Sequence, residues 1–108
     1  MKERNFRRIA AECGYNLIDH LNASGCIYVV YPGQNDNFVA KYRWGGIWVS
    51  TKVQVVKAND KTFIYPDEPI WYGNKLRIDK FRKLLNEMMT RYKKSVITAK
   101  LENIGEDF

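Results

Sequence analysis

The sequence predicts an α+β domain: a helix near the N-terminus and a long C-terminal helix, packed on one face of a four- or five-stranded antiparallel sheet of hairpins. The other face of the sheet is expected to stay partly open. Three observations carry this. Apolar residues recur at i, i+3, i+4 and i+7 near both ends of the chain. Between those segments they alternate with polar ones in short runs bounded by turn-forming residues. The 108 residues are 45% hydrophobic and 14% aromatic, enough for one core without disulfide or metal.

Residues 2–13 read as the first helix. Phe6, Ile9, Ala10 and Cys13 share one face, with Arg4, Arg7 and Arg8 opposite, and Gly14 suits the left-handed position that stops a helix. "YNLIDH" (15–20) and "CIYVVY" (26–31) read as strands joined by the turn "NASG" (22–25), and "PGQNDN" (32–37) is the next loop.

The stretch "FVAKYRWGGIWVSTKVQVV" (38–56) reads as a hairpin turning on Gly45-Gly46, which can both adopt positive φ. That turn pairs Trp44 with Ile47, Arg43 with Trp48 and Tyr42 with Val49. Strand alternation then places Phe38, Ala40, Tyr42, Trp44, Ile47, Val49, Thr51, Val53 and Val55 on a core face. Val39, Lys41, Arg43, Trp48, Ser50, Lys52 and Gln54 take the other face, which is basic and carries one large aromatic. Arg43 is expected to stack on Trp48. "KAND" (57–60) turns the chain into the strand "KTFIY" (61–65), "PDEP" (66–69) breaks that strand, and "IWYGN" (70–74) fits an edge strand or a loop.

Residues 78–100 carry the strongest helical pattern, with Phe81, Leu84, Leu85, Met88, Tyr92, Val96 and Ala99 in one stripe. Arg82, Lys83, Lys93, Lys94 and Lys100 project away from it. "ENIGEDF" (102–108) reads as an acidic tail, with Gly105 ending the helix.

Eighteen basic against twelve acidic residues give a net charge of +6. Nine basic and two acidic residues fall between Lys75 and Lys100, so the excess is concentrated there. This favours a polyanionic partner: nucleic acid, RNA or DNA, or an acidic protein surface. The two cysteines, Cys13 and Cys26, make no zinc pattern and fit free thiols in a reducing cytosol, so the expected location is cytoplasmic. No membrane partner is expected, because nothing reaches the about 18 apolar residues of a span. No cofactor is expected either, since no glycine-rich phosphate loop occurs.

Catalysis has little to stand on. His20 is the single histidine, and its neighbour Asp19 would point to the opposite face of a strand. A histidine-free ribonuclease would need cations and a proton shuttle, which Lys41, Arg43, Tyr28, Tyr31, Tyr72 and Arg77 could supply. In topology, the helix–strands–helix order resembles double-stranded-RNA-binding-like folds, including HicA-type toxins. "GNKLRIDKFRK" (73–83) loosely matches the loop–helix lysines of the RNA-binding domain, while the toxins' Gly-Ser-His signature is missing, Leu21 following His20.

The expectation is therefore a binding protein rather than an enzyme. Its nucleic-acid site would comprise Lys41, Arg43, Trp48 and Lys52 on the hairpin, with Arg82, Lys83, Lys93 and Lys94 on the helix. The alternatives are an interaction or inhibitor module of a phage or mobile element docking an acidic partner, and a toxin-like ribonuclease.

Overall fold

The computed structural model describes residues 1–19 and 25–106, of which 102–106 as helix backbone. His20 and most of the "NASG" turn lie outside the described residues. The elements run α1 (Glu3–Glu12), β1 (Asn16–Asp19), β2 (Cys26–Val30), β3 (Ala40–Arg43), β4 (Gly46–Ala58), β5 (Lys61–Gly73) and α2 (Ile78–Glu106). Five strands form one antiparallel sheet in chain order, β1-β2-β3-β4-β5. With the two helices this is the α+β architecture that the sequence predicts.

α1 buries Phe6, Ile9 and Ala10 of its predicted stripe, and α2 buries its own as far as Tyr92, leaving Val96 and Ala99 outside the core. Phe6, Ile9 and Ala10 of α1 meet Phe81, Leu85 and Met88 of α2 over Ile27, Val29, Ala40, Tyr42, Ile47 and Val49 of the sheet. Phe6 ties three elements together, with its ring 5.1 Å from Phe81 and 5.2 Å from Tyr42 between centroids. Each fully buried Phe, Ile, Leu, Met or Val among these contributes about 1.5–3 kcal/mol. Two tyrosines pin α2 to the sheet: the Tyr15 hydroxyl donates to the Leu85 carbonyl at 2.6 Å, and that of Tyr31 to Met88 at 2.8 Å. Burial raises both phenols above their ordinary pKa. Gly14, at φ +91°, ends α1 as expected, whereas α2 continues through Gly105 to Glu106.

The hairpin between β3 and β4 differs from the expected one. Arg43 pairs with Gly46, Tyr42 with Ile47 and Lys41 with Trp48, so the turn is Trp44-Gly45 rather than Gly45-Gly46. Both central residues have positive φ, 51° and 83°, as a primed turn requires. The pairing is displaced by two residues, which preserves the side-chain period. Tyr42, Ile47 and Val49 therefore still face the core, and Lys41 and Trp48 still face away. Trp44 is the exception. Drawn out of the strand into the turn, it is 74% exposed instead of buried.

A second correction concerns β5, which runs unbroken through Pro66 and Pro69. It is an edge strand, where a missing N–H is tolerated. The ladder is disturbed locally instead. Glu68 adopts φ 52°, the Thr51 hydroxyl donates to the Glu68 carbonyl at 2.8 Å, and the Thr51 carbonyl accepts from Arg91 of α2 at 2.6 Å.

The hairpin β4–β5 also outgrows the sheet. β3 begins only opposite Val49, so β4 and β5 continue past Ser50 as a two-stranded arm closed by Asn59-Asp60, both at positive φ. Val55, expected in the core, is 46% exposed there because no third strand or helix covers the arm. α2 runs alongside, from Lys80 over Tyr72 to Arg91 at Thr51. Its distal Ile97 and Leu101 are exposed as well.

Candidate functional site

The face of the sheet turned away from the helices carries a continuous cross-strand row. Ile18 pairs with Tyr28, Tyr28 with Lys41, Lys41 with Trp48, and Trp48 with Trp71. Residues directly opposite in an antiparallel ladder share a face. One side chain from each of the five strands therefore lines up across the sheet. The neighbours Ile27, Tyr42 and Ile47 point the other way into the core.

Lys41 sits in the middle. Its Nζ lies 5.6 Å from the Tyr28 ring centroid and 5.1 Å from that of Trp48, within range of a cation–π attraction to both. Either side of it is an aromatic pair. Tyr28 stacks on Phe38 with centroids 5.6 Å apart and planes at 29°. Trp48 meets Trp71 at 4.0 Å and 44°. Phe38 was expected in the core and is instead half-buried on this open face. Its backbone is held by Ser50, whose hydroxyl donates to the Phe38 carbonyl at 2.9 Å. The expected stacking of Arg43 on Trp48 is also replaced: the Arg43 guanidinium lies 4.1 Å from the Trp44 ring centroid.

Gly46 explains how Trp71 lies. A Cβ built on Gly46 would stand 2.0 Å from a ring carbon of Trp71, so the indole rests on bare backbone. The bulge that aims it there follows from the register, which shifts between Ile47 and Trp48 and leaves Tyr72 without an opposite residue. Trp71 remains 53% exposed, with part of its surface on Gly46 and Trp48 and the rest open to solvent.

The eight residues that the sequence nominates fall into two groups. Lys41, Arg43, Trp48 and Lys52 belong to β3 and β4. Arg82, Lys83, Lys93 and Lys94 belong to α2, which packs on the opposite face. The two groups do not merge. Within them, Lys52 bridges to Glu68 at 3.2 Å and Arg82 to Glu12 at 2.7 Å. No described carboxylate lies within salt-bridge distance of Lys41 or Arg43. The basic first helix is compensated too: Arg7 holds Asp19 and Glu3, and its hydrogen bond keeps the Asp19 carboxyl below the usual range.

Sequence reasoning missed Tyr28, Phe38 and Trp71 as members of this site. A signal for Trp71 existed: counting alternation through an unbroken strand from Lys61 would have set it opposite Trp48. The six residues considered for a ribonuclease are not gathered. Tyr31 is fully buried on the helix side, donating to Met88, while Lys41 and Tyr28 lie on the open face. Among the described residues no three His, Cys, Asp or Glu side chains converge as metal ligands, and no helix is long and apolar enough to cross a membrane. No family model matches the chain, and neither a curated protein nor a solved structure was found to match it.

Proposed function

We propose that the protein is a non-enzymatic nucleic-acid-binding module that uses the open face of its sheet. The observation that supports this reading best is the cross-strand row itself, in which a lysine with no described carboxylate within salt-bridge distance is flanked by two aromatic pairs, half-buried at Tyr28, Phe38 and Trp48 and exposed at Trp71. Exposed rings supply stacking surfaces for bases, and a cation among them supplies a phosphate contact. Arg43 and Trp44, next along β3 and at the turn, extend the same combination of charge and ring. The helix lysines would contribute to the general positive field rather than to contact.

An octamer of deoxythymidine at 50 mM salt tests it. Binding should shift the indole N–H resonances of Trp48 and Trp71. With Lys41 and Arg43 as the contacting cations, log K should fall with log salt at a slope of about −1.4, and Lys41→Met should reduce that slope by about 0.7. Polyglutamate is the control for an acidic protein surface. Equal binding of polyglutamate and the octamer, with the indole signals unmoved, would exclude base stacking and leave the protein-docking alternative.

A further inference from the structure

We infer that the open face takes a single strand with two of its bases splayed apart, one on the Tyr28–Phe38 pair and one on Trp71, with a phosphate between them at Lys41. This rests on the nucleic-acid reading above and specifies its ligand.

The geometry comes from three distances. Lys41 Nζ lies 5.6 Å from one ring centroid and 5.1 Å from the other, so Tyr28 and Trp48 can be at most about 11 Å apart. Trp71, which carries the second base, stands one strand beyond Trp48, so the strands bearing the two pads, β2 and β5, are three spacings or about 14 Å apart. Stacked nucleotides rise only about 3.4 Å along one strand. Two bases seated on these pads therefore cannot be stacked on each other, and the backbone joining them must cross Lys41. Duplex is disfavoured for the same reason, because its base faces are already occupied by neighbouring pairs.

Trp48 and Trp71 are in contact at 4.0 Å, which leaves no slot for a base between them. The base on that side stacks on the outer surface of Trp71, whose position is fixed from below by Gly46. At the other pad, Asn35, Asp36 and Asn37 line the cleft that contains Tyr28 and Phe38. A carboxylate there repels phosphate, so the base enters that cleft while the backbone keeps to the side of Lys41 and Arg43. Aromatic faces accept any base, so little sequence preference is expected from the pads themselves.

The test is a length series of oligodeoxythymidine and oligouridine, from one to eight nucleotides, with a blunt duplex of eight base pairs as a further arm. Binding is read by the indole N–H shifts of Trp71 and the aromatic shifts of Tyr28. The affinity should climb by about 5- to 140-fold when the strand becomes long enough, at two to four nucleotides, to reach the second pad. Tyr28→Leu and Trp71→Leu should each remove that gain, and the double variant should bind a mononucleotide more weakly than either single variant, because no pad is left for its base. Trp71→Phe keeps a ring in place and should retain most of the gain, which guards against loss by misfolding. Oligonucleotides that bind without a step in the series, or a duplex that binds as well as the single strand, would overturn the two-base arrangement while sparing nucleic-acid binding. Failure of every length and of the duplex to bind would overturn both. DNA and RNA arms giving the same step would place recognition in base and phosphate; a step in RNA alone would add the 2′-hydroxyl.

Discussion

The Trp71 indole lies across Gly46, close enough that a methyl group on Gly46 would overlap the ring at 2.0 Å. The two glycines of the hairpin thus do different things. Gly45 supplies positive φ in the turn, and Gly46 supplies a gap. Gly46→Ala should push Trp71 off the sheet, destabilise the fold by about 1–3 kcal/mol through overpacking, and shift the Trp71 indole N–H. Gly45→Ala meets nothing within 4 Å, so it should cost only about 1–2 kcal/mol of backbone strain and leave the Trp71 signal in place. An unchanged Trp71 resonance in Gly46→Ala would contradict the account of the platform.

Trp44 is a bulky residue at φ 51° in a turn that favours Asn-Gly. Its ring leans over Gly25 and carries Arg43, yet most of it is in water. Trp44→Asn should therefore stabilise the protein by about 1 kcal/mol, seen as a rise in melting temperature of about 4 °C. The same change should weaken oligonucleotide binding by removing a ring beside Arg43. A lower melting temperature would show that Trp44 is retained for packing.

The lysines of α2 provide a contrast. Lys83 and Lys94 stand on a helix about 10–12 Å thick on the far side of the sheet, beyond the about 10 Å reach of a charge at 0.1 M salt. Replacing both by alanine should alter oligonucleotide affinity less than about twofold at that salt. A loss comparable to that of Lys41→Met would move the interface to the helix.

Alkaline pH should unfold the protein through Tyr15 and Tyr31. Both phenols donate to carbonyls of α2 and are held neutral by burial, so their folded pKa lies above the unfolded value. The stabilisation they bring is complete below the unfolded tyrosine pKa of about 10 and is lost as pH rises beyond it. The phenolate absorbance of the buried pair should then rise together with loss of circular dichroism. Tyr31→Phe should flatten the alkaline decline. Titration of all seven tyrosines with the helix signal intact would refute this.

Periodicity made the two helices and the inward parity of Ala40, Tyr42, Ile47 and Val49 legible from the sequence, whereas Phe38 and Val39, just before β3, exchange the faces that alternation assigned them, Val39 being fully buried. Periodicity could not fix the partners. Choosing Gly45-Gly46 over Trp44-Gly45 follows from local propensity. That preference loses here because the displaced pairing seats Trp48 opposite Lys41 and opens Gly46 to Trp71. Pro66 and Pro69 concealed the length of β5, and with it Trp71, because their meaning depends on lying at an edge, which only the assembled sheet defines. Tyr28 was hidden for a related reason. Its membership in the row exists only once three pairings are known.

Beyond the bond that the Gln34 side chain donates to the Ile64 carbonyl at 2.7 Å, the tip of the arm is a two-stranded hairpin alone, and such a hairpin is marginal in water. Its backbone amides from Gln54 to Phe63 will exchange with deuterium by local opening, well ahead of those in β3 and the proximal part of β4. The molecule thus couples a firm platform to a segment that can fray and re-form while everything beneath it stays folded.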